Sequence, residues 1–108
     1  MILAVHGQDH LDVAKSYGNI GIVYKNQGKY EEALVQYQKA LAIDLAVYGQ
    51  DHPDGATSYH NIGVVLKQQG EVEKAKDKFE QAADIRRAKL GAHHALTKKS
   101  ERLAANCL

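Results

Sequence analysis

Six histidines are the residues of this chain that most readily suggest a metal or catalytic site. His10 and His52 each end a Gly-Gln-Asp-His segment, which places them in a loop or at a helix cap, and His6 falls at a helix end. His93 and His94 are adjacent, so they cannot share one helical face as an i, i+4 pair of zinc ligands does. The sequence therefore predicts no metal site.

The nucleophilic side chains lack the neighbours that would activate them. Ser16 and Ser58 fall on helices expected to be packed, outside any Gly-x-Ser-x-Gly turn. Cys107 is the single cysteine, so it forms no internal disulfide, and no base is assigned to it. A phosphate-binding Gly-x-x-x-x-Gly-Lys-Ser/Thr sequence does not occur. These features predict a protein that is not an enzyme and needs no cofactor.

Composition narrows the classes of partner and compartment. The chain has 108 residues, 44% hydrophobic and 25% charged, and its formal net charge is +1. Proteins that bind nucleic acid usually carry a strong basic excess, so none is expected as a partner. No apolar run reaches the roughly 18 to 20 residues that span a bilayer, and residues 1–5 lack the basic flank of a signal peptide. A cytoplasmic protein with no membrane partner is expected, since a lone cysteine suits a reducing compartment.

A repeat of 42 residues organises the chain. The segment Gly7-Gln8-Asp9-His10 recurs as Gly49-Gln50-Asp51-His52 and, in decayed form, as Gly91-Ala92-His93-His94, and about 20 of the 42 aligned positions are identical. A fixed period of this size indicates stacked supersecondary units. We therefore predict a single array over residues 1–108: the tail of an earlier helix (1–6), repeat 1 (7–48), repeat 2 (49–90), and a partial third repeat or capping helix (91–108).

Each repeat is predicted to contain two antiparallel helices. The first begins near Leu11 and ends at Gly28, where glycine permits the positive φ of a helix stop, as Gly70 does in the second repeat. The second helix runs from about Tyr30 to Tyr48. Gly21 and Gly63 lie inside helices, where their small size is expected to let neighbouring backbones approach. The buried stripe of the first helix is expected to contain Val13, Ala14, Tyr17, Ile20, Gly21 and Tyr24, and that of the second Ala33, Leu34, Tyr37, Ala40, Leu41 and Leu45.

The third repeat is predicted to cap the stack. Residues 97–108 align with a first helix that stops midway, and a terminal repeat needs one apolar and one polar face. The expected apolar stripe contains Leu96, Leu103, Ala104 and Leu108, and the expected polar stripe contains Lys98, Lys99, Glu101 and Arg102.

Each repeat carries the same internal pattern: Tyr17-x2-Ile20-Gly21-x2-Tyr24 with Ala33-x3-Tyr37, and Tyr59-x2-Ile62-Gly63-x2-Leu66 with Ala75-x3-Phe79. This pattern resembles the tetratricopeptide repeat. That resemblance implies an all-α fold, a right-handed superhelix of stacked antiparallel helix pairs. The usual unit has 34 residues, and the eight extra ones here are expected to lengthen the second helix. This variant resembles the 42-residue repeats of kinesin light chains, nephrocystin-3 and many bacterial proteins.

The resemblance also implies a binding surface. The first helices of such an array line a concave groove that takes an extended segment of another protein. Six of the fourteen residues placed there are lysine or arginine and none is acidic, so a short acidic motif is the expected ligand. The predicted groove residues are Lys15, Asn19, Ile22, Lys25, Asn26, Thr57, His60, Asn61, Val64, Lys67, Gln68, Lys98, Lys99 and Arg102.

Other interpretations of these residues stay open. Asn19 and Asn61 either pair with a peptide backbone or simply contact solvent and a neighbouring helix. The lysines could be ordinary solvated charges. The carboxylate clamp of the chaperone-binding subset is expected to be missing, because Gly18 and Ile22 replace its lysine and asparagine. A purely architectural role, spacing or oligomerising other domains by self-association of exposed repeat ends, is the alternative function.

Overall fold

The computed structural model describes residues 7–107, with side chains from residue 10 onward. Each helix packs against the next one along the chain, so that two complete helix pairs are followed by a fifth helix. The described residues contain no strand, which confirms the all-α stack of helix pairs. The predicted tail at residues 1–6 and Leu108 lie outside the described residues. The helices are α1 (Gly7–Asn26), α2 (Tyr30–Tyr48), α3 (Pro53–Gln68), α4 (Val72–Leu90) and α5 (Ala95–Ala105).

Glycine ends the first helix of each pair, as predicted. Gly28 and Gly70 have φ angles of 77° and 84°. After each glycine the chain closes back on the helix, with Lys29 N donating to Tyr24 O at 2.8 Å and Glu71 N to Leu66 O at 2.8 Å. These bonds satisfy carbonyl groups that the helix end would leave unpaired. The turn therefore holds the two helices of a pair side by side.

The two Gly-Gln-Asp-His segments differ in structure. His52 is the N-cap of α3, where its Nδ1 accepts a hydrogen bond from Asp54 N at 3.0 Å, and this confirms its predicted capping role. The same role for His10 was wrong, because α1 begins at Gly7 and includes His10. Pro53 explains the difference: proline disfavours helical conformation in the residue before it, whereas Leu11 lets the helix extend upstream.

Two aromatic side chains fill the interior of the helix pairs. Tyr37 and Phe79 are 1% and 0% exposed. Each ring lies against a glycine of the preceding helix: a Cβ added to Gly21 would be 2.6 Å from Tyr37 Cε1, and one added to Gly63 would be 2.8 Å from Phe79 Cε1. Both distances are too short for a real Cβ. The mid-helix glycines therefore leave room for the rings, whereas the sequence-based expectation was a close approach of neighbouring backbones.

Gly63→Ala is expected to destabilise the fold by about 1 to 2 kcal/mol. The new methyl would overlap the Phe79 ring, which has no room to move, and overpacking of this kind outweighs the gain of about 1 kcal/mol in helix propensity. Gly18→Ala is the matched control, because a Cβ there meets nothing within 4 Å and only the propensity gain remains. Urea denaturation of both variants measures the difference. A Gly63→Ala protein as stable as Gly18→Ala would contradict the close contact.

The predicted buried stripe of α1 was wrong at two positions. Val13 and Ile20 are 45% and 43% exposed, although Ile62, the repeat counterpart of Ile20, is only 3% exposed. In the second repeat, α2 packs on α3 and covers Ile62. No helix among the described residues covers that side of α1, so the same residue type faces solvent.

The predicted apolar stripe of α5 also needs correction. Leu96 is 41% exposed, whereas Thr97 and Ser100 are fully buried. Both hydroxyls are satisfied, since Thr97 donates to Gly91 O at 2.9 Å and Ser100 accepts from Arg86 at 2.8 Å. Ala104 is buried and Leu103 packs against the core, as predicted. Polar groups can line this interface because Arg86 of α4 and Gly91, which follows that helix, are their partners.

Candidate functional site

A pocket of about 460 Å³ opens between α1 and α3, with α2 forming its base. We call it the α1–α3 pocket. It brings together five of the fourteen predicted groove residues: Lys15, Asn19, Ile22, Thr57 and Asn61. The other lining residues are Leu11, Ala14, Gly18, Ala40, Asp44, Tyr48, Asp54 and Ser58.

Gly18 creates part of this space. A Cβ added at Gly18 would find nothing within 4 Å, so the helix wall is open there. The repeat counterpart of Gly18 is His60, whose half-buried ring lies against Phe79 with ring centroids 5.9 Å apart. A histidine therefore occupies in the second repeat the place that a glycine leaves open in the first.

Asp44 lies at the base of the α1–α3 pocket. Its side chain belongs to a residue only 6% exposed, and its carboxylate accepts one hydrogen bond, from Ser58 Oγ to Oδ2 at 3.3 Å. Burial raises the pKa of Asp44, the nearby charge of Asp54 raises it further, and the Ser58 hydrogen bond and His52 oppose this. The expectation of a groove without acidic groups was therefore wrong. The pocket has two acids, Asp44 of the second helix α2 and Asp54 in the first turn of α3, and the fourteen predicted residues included neither.

Arg86 occupies the same repeat position as Asp44, with the opposite charge. It is 4% exposed, and its Nη1 donates to Ser100 Oγ at 2.8 Å, so both buried charges bond to the serine that recurs in each repeat. Burial lowers the pKa of Arg86. Among the described residues, no carboxylate lies within 4.0 Å of its guanidinium group. Its charge is thus buried without a counter-ion among residues 7–107.

His60 sits in a positive environment. Its pKa is lowered to about 4, first by burial and then by the charges of Arg86, Lys99 and Lys25. The ring is therefore neutral near pH 7, and its buried Nδ1 has no hydrogen-bond partner among the described residues. We call Lys25, His60, Arg86 and Lys99 the basic cluster. Three of its members were predicted groove residues.

The other predicted groove residues do not line the α1–α3 pocket. Val64 is half-buried and packs against the core. The remaining five are exposed: Asn26, Lys67, Gln68, Lys98 and Arg102.

Sequence reasoning missed Asp44 and Arg86, although the sequence contains a signal for them. Ala33, Tyr37 and Ala40 are buried at the spacing of one helical stripe, and Asp44 continues that stripe at the next i+4 step. Arg86 continues the equivalent stripe of α4. A charged residue on an otherwise buried stripe marks a position worth examining.

Residues 7–107 show no further site of the kinds considered from the sequence. That range holds no group of three or more His, Cys, Asp or Glu side chains arranged to bind a metal ion. No helix there is long and apolar enough to cross a membrane. Cys107 is buried and its Sγ donates to Leu103 O at 3.3 Å.

A family model described as a tetratricopeptide repeat matches residues 2–46 and residues 12–88, which together span well over half of the chain. No curated protein matches the chain.

Proposed function

The chain belongs to the tetratricopeptide repeat family, whose helix pairs are non-catalytic modules for protein–protein interaction, and we propose that it binds a short, extended, acid-containing segment of another protein. The segment lies along α1, α3 and α5, with its acidic group at the basic cluster. By repeat length and pattern we also assign the chain to the kinesin light chain and nephrocystin-3 type, acting in the cytoplasm.

Arg86 is the observation that carries this proposal. A buried charge without a partner is costly, and a carboxylate that meets it gains both attraction and hydrogen bonds. Arg86 Nη1 is engaged by Ser100, and the other guanidinium N–H groups remain for a ligand. Lys25 and Lys99 add positive charge to the same place. An acidic side chain of a partner is the group that this arrangement favours.

The asparagines supply the backbone contacts. Asn19 and Asn61 both line the α1–α3 pocket, and Asn19 is exposed while Asn61 is half-buried. Their amides form no hydrogen bond within the described part of the chain, so both donors and the acceptor are available to a peptide backbone. Backbone contacts hold an extended segment without demanding a particular sequence.

We expect a peptide array probed with this chain to be enriched in acidic sequences, with affinities near micromolar, about −8 kcal/mol. Binding should weaken as salt rises, because exposed charges are screened over about 10 Å at 0.1 M. Lys99→Glu should mainly slow association, whereas Asn61→Ala should mainly speed release, by removing hydrogen bonds. Stopped-flow kinetics separates the two effects.

Lys76→Glu is the matched control, since it makes the same charge change at an exposed residue of α4 outside the basic cluster. It should leave binding within about twofold of the parent chain. The proposal would be overturned if the array showed no enrichment for acidic sequences. It would also be overturned if the Lys99→Glu and Asn61→Ala variants bound the peptide as the parent chain does.

Self-association is the second candidate function, and the open face of α1 favours it. Val23 is 53% exposed while its counterpart Val65 is 0% exposed, and Ile20 lies beside it on the same side. An apolar face of this kind is buried in the second repeat by a neighbouring helix. Sedimentation equilibrium decides between the two functions. The architectural role is selected if the parent chain forms an oligomer, the Val23→Glu variant does not, and the peptide array shows no enrichment.

A further inference from the structure

We propose that the α1–α3 pocket binds the cationic side chain of a lysine or arginine, so that the partner segment carries a positive charge for Asp44 and a negative charge for Arg86, one repeat apart. The second half of this statement rests on the proposed function, because it assumes that both charges arrive on one segment. The cation site itself stands on the pocket alone.

Asp44 is a buried carboxylate whose hydrogen-bonding capacity is largely unused. An ionised carboxylate can accept about four hydrogen bonds. Asp44 accepts one, from Ser58 Oγ at 3.3 Å, and its Oδ1 faces no donor within the described part of the chain. An ammonium or guanidinium group entering the pocket would supply both the missing donors and the missing charge.

No cation of the described chain already neutralises this carboxylate. Lys15 lines the same pocket, yet its ammonium group is not within 4.0 Å of Asp44 or Asp54. His52 Nδ1 accepts a hydrogen bond from Asp54 N and forms no ion pair with Asp44 within 4.0 Å. Two carboxylates, those of Asp44 and Asp54, therefore face one cavity with a net negative field at its base.

The walls suit the stem of a long cationic side chain. Leu11, Ala14 and Ala40 present apolar surface, and Tyr48 adds an aromatic ring at one side. Lysine and arginine bury their methylene groups against such surface while the charged end seeks polar partners. A ring beside the charge adds a further attraction. An acidic or neutral polar side chain could lie against the same walls, but it would bring no positive charge to the carboxylates at the base of the pocket.

The second repeat differs from the first at two residues that shape this pocket. At the equivalent place His60 fills the space and Arg86 replaces Asp44. The two ends of the groove therefore differ in both shape and charge. A segment with a cation and an anion binds in one direction only, since reversing it would set like charges together.

The cation site is tested with Nα-acetyl-L-arginine amide and Nα-acetyl-L-lysine amide, titrated into the ¹⁵N-labelled chain. Shifts are expected for the amides of Gly18, Asp44 and Ser58, with millimolar affinity. Asp44→Asn keeps the shape and the Ser58 bond but removes the charge, and should weaken binding at least tenfold. Asp51→Asn removes an exposed carboxylate outside the pocket and should not. Equal shifts with Nα-acetyl-L-glutamine amide, or unchanged binding by Asp44→Asn, would overturn the inference.

Gly18→His gives an independent test from within the chain. It copies His60 into the first repeat, so the imidazole should fill the pocket and reduce cation binding at least tenfold. The melting temperature should not fall, because a Cβ at Gly18 meets nothing within 4 Å and glycine is a poor helix former. If the variant binds the arginine amide as the parent does, the pocket is not the site. If it does not fold, the Asp44→Asn titration decides alone.

A peptide array distinguishes failure of this inference from failure of the proposed function. Enrichment of peptides that contain an acidic residue together with a lysine or arginine supports the cation site and the proposed function alike. Enrichment of acidic peptides alone, with no pocket shifts from the arginine amide, retains the proposed function and overturns the cation site. Pocket shifts with no acidic enrichment retain the cation site and overturn the acidic anchor.

Discussion

Deletion of residues 95–108 is expected to lower the free energy of unfolding by about 4 kcal/mol or more, a large share of the roughly 5 to 15 kcal/mol typical of a domain. Ala104 of α5 and Cys107, which follows that helix, belong to the core cluster that contains Phe79. Their loss would expose that cluster, since each unit of a stacked array buries its apolar face only against its neighbours. It would also leave Arg86 without its Ser100 partner.

Circular dichroism at increasing temperature measures the effect, and aggregation of the truncated chain would count as the same outcome. Ser100→Ala is the graded control, because it removes only the Arg86 hydrogen bond and should cost about 1 to 3 kcal/mol. A truncated chain that melts at the temperature of the parent would show that α5 does not cap the stack.

Acidification from pH 7 to pH 4 is expected to lower the free energy of unfolding by up to about 3 kcal/mol through the protonation of His60 alone. In the folded state the pKa of His60 is lowered from 6.5 to about 4. Between these values the unfolded chain takes up a proton that the folded chain excludes. The contribution of His60 to stability is therefore complete above about pH 6.5 and falls as the pH drops towards 4. Asp44 acts in the opposite sense, because its raised pKa makes protonation favour the folded state.

The difference between the parent and His60→Ala isolates this effect, since Asp44 is present in both. Urea denaturation of each at pH 7.5 and pH 4.5 should show a smaller loss of stability in His60→Ala, whatever its stability at neutral pH. His93→Ala, which removes an exposed imidazole, should behave as the parent does. Equal losses in all three chains would mean that His60 is as accessible to protons in the folded state as in the unfolded one.

The sequence alone was sufficient for features that depend on local pattern. The predicted second helix, Tyr30 to Tyr48, has the bounds of α2, because its stripe of apolar residues and its flanking glycines act within a few residues of the chain. Gly28 and Gly70 end helices for a similar reason: only glycine adopts their positive φ angles without strain. The 42-residue period then predicted that the helix pairs stack, because units with similar sequences adopt similar structures and pack against one another.

Tertiary structure decided which of two equivalent residues is buried and which polar groups meet. Ile20 and Ile62 have the same type and repeat position, yet a neighbouring helix covers only Ile62. Asp44 and Arg86 lie on second helices, and their role follows from the packing that brings them beneath α1, α3 and α5. The openness at Gly18 is likewise a property of the packed helices. Burial and charge depend on contacts between residues distant in the chain, and a repeat pattern fixes the positions of such residues without fixing their surroundings.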